Sequence, residues 1–228
     1  MLNYTLELEL LSDTTPGRGE GVAGLVDAEI QHDELGLPVI SGRSLKGLLV
    51  NECAAIVYTL DQTSAGVWPA AARDLFGERG EMADFTSGLS IGTATLAPDL
   101  IAQLRSDKDR PSAEKLLSSL TAIRQQTSVD AASGAPRDNT LRATRVIVRG
   151  ITFYASVRFE PAPTDAQRAL LAACVLALRR LGAGRNRGKG RVRARLTDRP
   201  LTPDGFAAAP GHDLTGAWFA HFKREALA

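Results

Sequence analysis

The stretch TDAQRALLAACVLALRRLGAGRNRGKGRVRARL, from Thr164 to Leu196, reads as a helix, a loop and a strand in succession. Thr164 and Gln167 stand at the spacing of a capping box, just after Pro163. Leu170, Cys174, Leu178 and Leu181 recur at helical spacing and make one apolar stripe. Arg179 and Arg180 suit the negative end of the helix dipole, and Gly182 supplies the expected stop. From Arg185 to Arg195 every second residue is Arg or Lys, and no acid interrupts the series. Glycines at 182, 184, 188 and 190 punctuate the run. Its end, Arg191 to Leu196, alternates basic and apolar residues as a half-buried strand does.

The rest of the chain fits around this unit. Tyr4 to Leu10 alternates Leu6, Leu8 and Leu10 with Glu7 and Glu9, a second half-buried strand. After a Gly-rich segment and an acidic loop, Asp27 to Gly36, comes ISGRSLKGLLVNECAAIVYTL, Ile40 to Leu60. Leu45, Leu48, Leu49, Cys53 and Ile56 share one helical face there, with Ser41 or Ser44 as cap. DLFGE, Asp74 to Glu78, ends a short apolar element in a glycine turn, and GLSIGTATL, Gly88 to Leu96, reads as a strand. Pro98 to Gln126 is polar with helical patches, interrupted by Pro111. A turn-rich loop then runs into the strand RATRVIV, and Gly150 leads to the strand ITFYASVRFE. The order β–α–(insertions)–β–β–α–β predicts an α+β chain of the ferredoxin-like, or split βαβ, kind.

Composition narrows the class. The 228 residues suit one domain with insertions, 1–228, and 44% apolar residues suffice for a core. The formal net charge is only +1, so any nucleic-acid binding must come from local clustering. The two cysteines, Cys53 and Cys174, argue against a disulfide framework and are expected to be inert packing thiols on the core faces of the two helices. The N-terminus lacks the pattern of a signal peptide, and no window reads as a membrane span. A soluble cytoplasmic protein is expected.

The basic glycine run fails both nucleotide-loop templates. A dinucleotide fingerprint needs a third glycine where Arg187 stands, and it runs from strand to helix. A Walker A loop needs four residues between Gly and Gly-Lys, then Ser or Thr, and Lys189 is followed by Gly190. A polynucleotide-backbone site remains, with glycines admitting phosphates to backbone N–H groups and the cations adding charge. In the extended part, Arg191, Arg193 and Arg195 project to one face and suit a row of phosphates. The alternative is a solvated, charged strand edge. SGRSLKG, Ser41 to Gly47, offers the same chemistry at a helix start. Arg43 and Lys46 oppose the dipole there, and an anion held with Ser41 and Ser44 would resolve the conflict. Gly42 and Gly47 suit a close approach to such a ligand. The alternative is an ordinary helix N-terminus.

LPVISGRSLKGLL resembles the SLKG segment of the RAMP superfamily, and LGAGRNRGKGRV resembles its C-terminal glycine-rich loop. DLFGE resembles the family's Leu-Phe-Gly element, and VDAASGAPRDNTLRATRVIVRGITFYASVRF resembles the region between these landmarks. The set occurs in family order, and the resemblance is strongest to backbone subunits of type III CRISPR effector complexes. It implies a modified RNA-recognition-motif-like fold (the RAMP fold), with an insertion at about 97–126, a thumb at about 127–142 and an extension at about 200–228. It implies guide-phosphate contacts from Ser41, Arg43, Ser44 and Lys46, and from Gly184, Arg185, Arg187, Gly188, Lys189 and Arg191. It implies partners in guide RNA, target RNA and other subunits, like subunits meeting head to tail. Aromatic residues are only 5%, with no stacking signature, so bases are not expected to be read by the protein.

The same resemblance gives Asp27 a role in cleaving target RNA with Mg2+ or another divalent cation, Asp27 being the metal ligand. This chain has Leu25 where the family commonly has the second glycine of Gly-Gly-x-Asp. Glu29, Asp33 and Glu34 are expected to be solvated. Other readings stay open: a subunit without catalysis, a metal-independent guide-processing ribonuclease using His32 as base, and a ferredoxin-like enzyme for a phosphorylated metabolite. Trp218, Phe219 and Phe222 suggest a short terminal helix packed on this chain or on a neighbour.

Overall fold

The computed structural model describes residues 2–17, 21, 26–60, 66–77, 87–130 and 132–226. The order of elements is β1 (Leu2–Leu10), α1 (Gly42–Leu60), α2 (Val67–Phe76), β2 (Leu89–Ile91), α3 (Pro98–Ser106), α4 (Ala113–Leu120), β3 (Thr121–Gln126), β4 (Arg142–Ile147), β5 (Thr152–Phe159), α5 (Asp165–Ala177), β6 (Val192–Thr197), α6 (Pro203–Ala208) and α7 (Thr215–Ala226). Four strands form an antiparallel sheet in the order β2-β5-β1-β6. With α1 after β1 and α5 after β5, this is the ferredoxin-like arrangement expected from the sequence.

Alternation decides which face is buried. Leu6, Leu8 and Leu10 of β1 register with Phe153 and Ala155 of β5 and with Val192, Ala194 and Leu196 of β6. All lie in one core with Leu45, Leu49 and Cys53 of α1 and Leu170, Leu171 and Cys174 of α5. A one-residue slip would turn these strands inside out, so burial fixes the register. Cys53 and Cys174 are both buried and hydrogen-bond each other. That bond and burial push the Cys174 thiol well up, as suits a protonated packing group. The terminal helix α7 packs on this chain: Trp218 stands edge-on to Tyr4 at 5.0 Å and Phe222 lies 4.7 Å from Trp68.

The capping box is present. Thr164 Oγ1 accepts from Gln167 N at 3.2 Å, and Gln167 Oε1 accepts from Thr164 N at 2.9 Å. Thr164→Ala should lower stability by about 1 kcal/mol. A thermal melt should therefore shift down by roughly 2–4 °C, while Thr164→Ser should leave it nearly unchanged.

Three local expectations give way to tertiary pairing. Helix α5 stops at Ala177, before Gly182, because Arg179 to Leu181 pair with Gly190 to Val192. Residues 121–126 form β3, where only helical patches were expected, because β4 supplies a full antiparallel partner. The strand that precedes β5 in sequence, β4, thus joins a second, two-stranded sheet, and β2 takes the place beside β5. Gly42 is needed for close approach, but to this chain and not to a ligand: a Cβ there would lie 2.2 Å from the Ile91 carbonyl oxygen. Nothing in the packing explains Gly47, whose Cβ would meet open space. No helix among the described residues is long and apolar enough to cross a membrane.

Candidate nucleic-acid interface

The glycine-rich loop is a projection with a fixed base. Arg180 bridges Arg191, Leu181 N donates to Gly190 O at 2.9 Å and Val192 N donates to Arg179 O at 3.0 Å. The segment after β1 clamps this base from the side: Ala183 N donates to Thr15 O, Gly190 N to Asp13 O and Arg191 N to Ser12 Oγ. Gly190 has φ +73°, and a Cβ on it would stand 2.0 Å from the Leu181 carbonyl oxygen. Between these anchors Arg185–Arg187 forms a single 3-10 turn flanked by Gly184 and Gly188, both left-handed. Arg185, Arg187 and Arg191 are exposed and Lys189 is half-buried. None of the four has an ion-pair partner among the described residues.

Arg193 and Arg195 differ. The register sets them opposite Glu9 and Glu7 of β1. Arg193 Nη1 lies 3.0 Å from Glu9 Oε2, and Arg195 Nη2 lies 2.6 Å from Glu7 Oε2. Glu7 is only 2% exposed and also accepts from Thr197 Oγ1. Among the described residues, the run of cations without an acid partner therefore ends at Arg191; Arg193 and Arg195 neutralise this protein's own acids.

Helix α1 starts at Gly42, which leaves Ser41 at the cap position, and no acid stands in the first turn. Arg43 and Ser44 are exposed. Lys46 is held by the chain itself, donating to Leu89 O at 2.9 Å and to Ser87 Oγ. Burial lowers its ammonium pKa. The helix start abuts β2 through Gly42, while the glycine-rich loop leads into β6. The two basic sites thus stand at opposite edge strands of the sheet and towards opposite ends of β1.

Asp27 stands at the loop end of the β3–β4 hairpin, whose loop spans 127–141. Its N–H donates to Ala143 O at 2.8 Å, and its Oδ2 accepts from Ala143 N at 2.6 Å. Ala28 bridges Thr144 in parallel and Arg145 N donates to Ala28 O at 3.0 Å. The segment 27–28 so lies along β4 as an extra strand, on the edge opposite β3. The carboxylate is exposed, and no protein group among those described takes Oδ1. No cluster of three or more His, Cys, Asp or Glu able to hold a metal occurs among the described residues. A lone carboxylate still fits a magnesium ion that draws its other ligands from phosphates and water. The family's glycines before the aspartate correspond to Gly24 and Leu25, which lie outside the described residues.

A family model for the RAMP superfamily matches residues 7–193. The chain belongs to the RAMP superfamily. Among solved structures, a chain of the type III-B Cmr-beta complex bound to cognate target RNA matches with a TM-score of 0.62 and 13% identity, covering 86% of this chain and 97% of that one. A chain of the apo state of type III-B Cmr-beta matches with a TM-score of 0.63 and 15% identity, over the same shares. Both likenesses concern the fold. No curated protein matches the sequence.

Within this RAMP-superfamily chain the acidic loop is only partly what its composition suggests. Glu34 is exposed as expected. Glu29 is not solvated: it is 4% exposed and meets Arg145 Nε at 2.9 Å. Asp33 is a turn former, its Oδ1 accepting from Leu35 N and Leu37 N. His32 is exposed and faces Arg105 and Arg110 of the α3–α4 region, across a cavity of about 650 Å³, instead of the glycine-rich loop. The residues that hold the site in place, Asp13 above all, carried no distinctive sequence signal. Asp13 Oδ2 accepts from Arg124 of β3 at 2.7 Å while its carbonyl holds Gly190.

Proposed function

We propose that this chain is a guide-RNA-binding backbone subunit of a type III CRISPR effector complex, working in the cytoplasm, and that Asp27 takes part in metal-dependent cleavage of the target RNA. The observation that carries the reading is the contrast along one basic run. Arg193 and Arg195 are neutralised by Glu9 and Glu7, while Arg185, Arg187, Lys189 and Arg191 have no acid partner among the described residues. Charges left unpaired on a rigid, glycine-flanked projection suit an external polyanion. The family and the fold likeness to chains of Cmr-beta, one of them in a complex bound to cognate target RNA, support the same reading.

Exposed Arg43 and Ser44 and the loop cations hold the guide by its phosphates, which positions the strand without reading bases. Lys46, already bound to Leu89 and Ser87, steadies the helix start. Specificity comes from base pairing between guide and target. The β3–β4 hairpin serves as the thumb, with Val129 and Leu141 exposed at 59% and 65% to pack against bases. Ala143 fixes one oxygen of Asp27 and leaves the other toward the RNA. A divalent cation bound there supplies Lewis-acid stabilisation of the scissile phosphate. Like subunits meet head to tail, which builds an open filament along the guide.

The test is the salt dependence of single-stranded RNA binding by the full chain, wild type against Arg185→Ala/Arg187→Ala/Lys189→Ala. Removing three phosphate contacts should reduce the slope of log K against log salt by about 2. An unchanged slope, or binding competed away by inorganic phosphate at low millimolar levels, would favour a small phosphorylated ligand and sink the RNA reading.

A further inference from the structure

The Asp27 segment is fastened by more than backbone pairing. Two residues on, Glu29 enters the protein and meets Arg145 of β4, whose Nε lies 2.9 Å from Oε1 and 3.1 Å from Oε2. Arg145 Nη1 reaches Thr121 Oγ1 of β3 at 3.3 Å, and Arg145 O accepts from Thr15 Oγ1 at 3.2 Å. Glu29 Oε1 also accepts from Ile30 N at 2.9 Å. The Arg145 side chain is 12% exposed. The ion pair thus ties together the acidic loop and both strands of the hairpin, while the Arg145 main chain is held separately by Thr15.

A largely buried ion pair is a poor way to gain stability, because desolvation offsets the attraction and apolar residues of similar volume commonly do as well. What it adds is register. The segment 27–28 is a short parallel addition to an edge of β4; buried Val26 and Ile30 anchor its two ends in the protein, and the Glu29–Arg145 pair fixes its register at the edge itself. A two-residue slip would carry the Asp27 carboxylate about 6.6 Å along the strand. Glu29 can reach Arg145 in one register only, the one that sets Asp27 against Ala143 at the loop end of the hairpin.

We propose that Glu29 and Arg145 are positioning residues that hold the Asp27 carboxylate in register with the loop end of the β3–β4 hairpin, so that cleavage of RNA held there depends on them. The inference rests on the reading that Asp27 acts in cleavage. Neither residue touches RNA. Their effect falls on the rate of the chemical step and not on target affinity, since a small displacement of a reacting group alone costs a large factor in rate.

The experiment uses the reconstituted complex, target RNA and magnesium under single-turnover conditions. Asp27→Ala, Glu29→Gln and the double variant Glu29→Met/Arg145→Met are compared with wild type. The double variant replaces the pair by apolar chains, so it keeps the fold if Glu29→Gln does not assemble. Expected are target affinities within about twofold of wild type and cleavage slower by about tenfold to a hundredfold in the pair variants. Pair variants that assemble and cleave at the wild-type rate, while Asp27→Ala is inactive, overturn the positioning role and leave the Asp27 reading standing. Pair variants that lose target binding as much as cleavage also overturn it, because the pair is then only structural. Asp27→Ala cleaving like wild type overturns the Asp27 reading and this proposal together.

Discussion

Target-RNA cleavage by the assembled complex should vanish when Asp27 becomes alanine, while guide and target binding persist. Lewis-acid stabilisation of a scissile phosphate is worth several kcal/mol. At about 1.4 kcal/mol per tenfold, loss of the metal ligand that the proposed function assigns to Asp27 should slow cleavage at least about a hundredfold. Alanine also removes the hydrogen bond from Ala143 N to Oδ2, so a slowed reaction alone would not separate charge from loop geometry. Asp27→Asn separates them. It keeps an oxygen acceptor for Ala143 while the backbone pair from Asp27 N to Ala143 O is untouched. Asparagine should therefore be as inactive as alanine, with the segment still seated on β4. An active asparagine variant would show that the carboxylate does no metal chemistry. Cleavage gels with magnesium, read beside target-binding titrations, measure both quantities.

Gly190→Ala should unseat the glycine-rich loop, and Gly188→Ala should not. Both glycines have positive φ, +73° and +76°, so each alanine carries the backbone cost of a left-handed residue, about 1–2 kcal/mol. Their surroundings separate them. A Cβ at Gly188 meets nothing within 4 Å, whereas at Gly190 it stands 2.0 Å from the Leu181 carbonyl oxygen. That oxygen belongs to backbone in the pairing that closes the loop, and Leu181 N donates to Gly190 O in the same pair. The clash is relieved only by opening the loop base, which also frees Arg191 and the contact of Gly190 N with Asp13 O. Strain of this kind costs about 1–3 kcal/mol beyond the left-handed term. Gly190→Ala should lower the melting temperature by roughly 4–20 °C and Gly188→Ala by roughly 2–8 °C. RNA binding should fall steeply in the first and little in the second. Equal binding by both variants would mean that the loop's shape is irrelevant to the RNA.

Much of this architecture is legible in residue order. Short-range physics sets the β1 alternation, the capping box at Thr164 and Gln167, the stripe Leu170–Cys174–Leu178, and the alternation of β6. Each is a pattern of neighbours within a few residues, and the structure repeats each one. The ordered landmarks from SLKG to the glycine-rich loop likewise lead to the family, whose model spans 7–193. The candidate site is legible only as a set of residue types. That Arg185 to Arg191 stay unpaired while Arg193 and Arg195 do not depends on which strand lies beside β6. The acids involved are more than 180 residues away in sequence.

What the sequence by itself determined is therefore the principal strands and helices of the main sheet and its two core helices, their buried faces, and the chemistry concentrated in two basic stretches and an acidic loop. The tertiary structure alone decided the partners. It made Gly42 a point of contact with β2, ended α5 before Gly182, and drew 121–126 into a strand. It buried Glu29 against Arg145, tied Lys46 to Leu89, and set Asp27 at the loop end of the hairpin. The physical reason is common to all of these. Helix caps and alternation are rewarded within a few residues, whereas strand pairing, ion pairing and close backbone approach are rewarded only once distant segments meet. Their energies then override local preference.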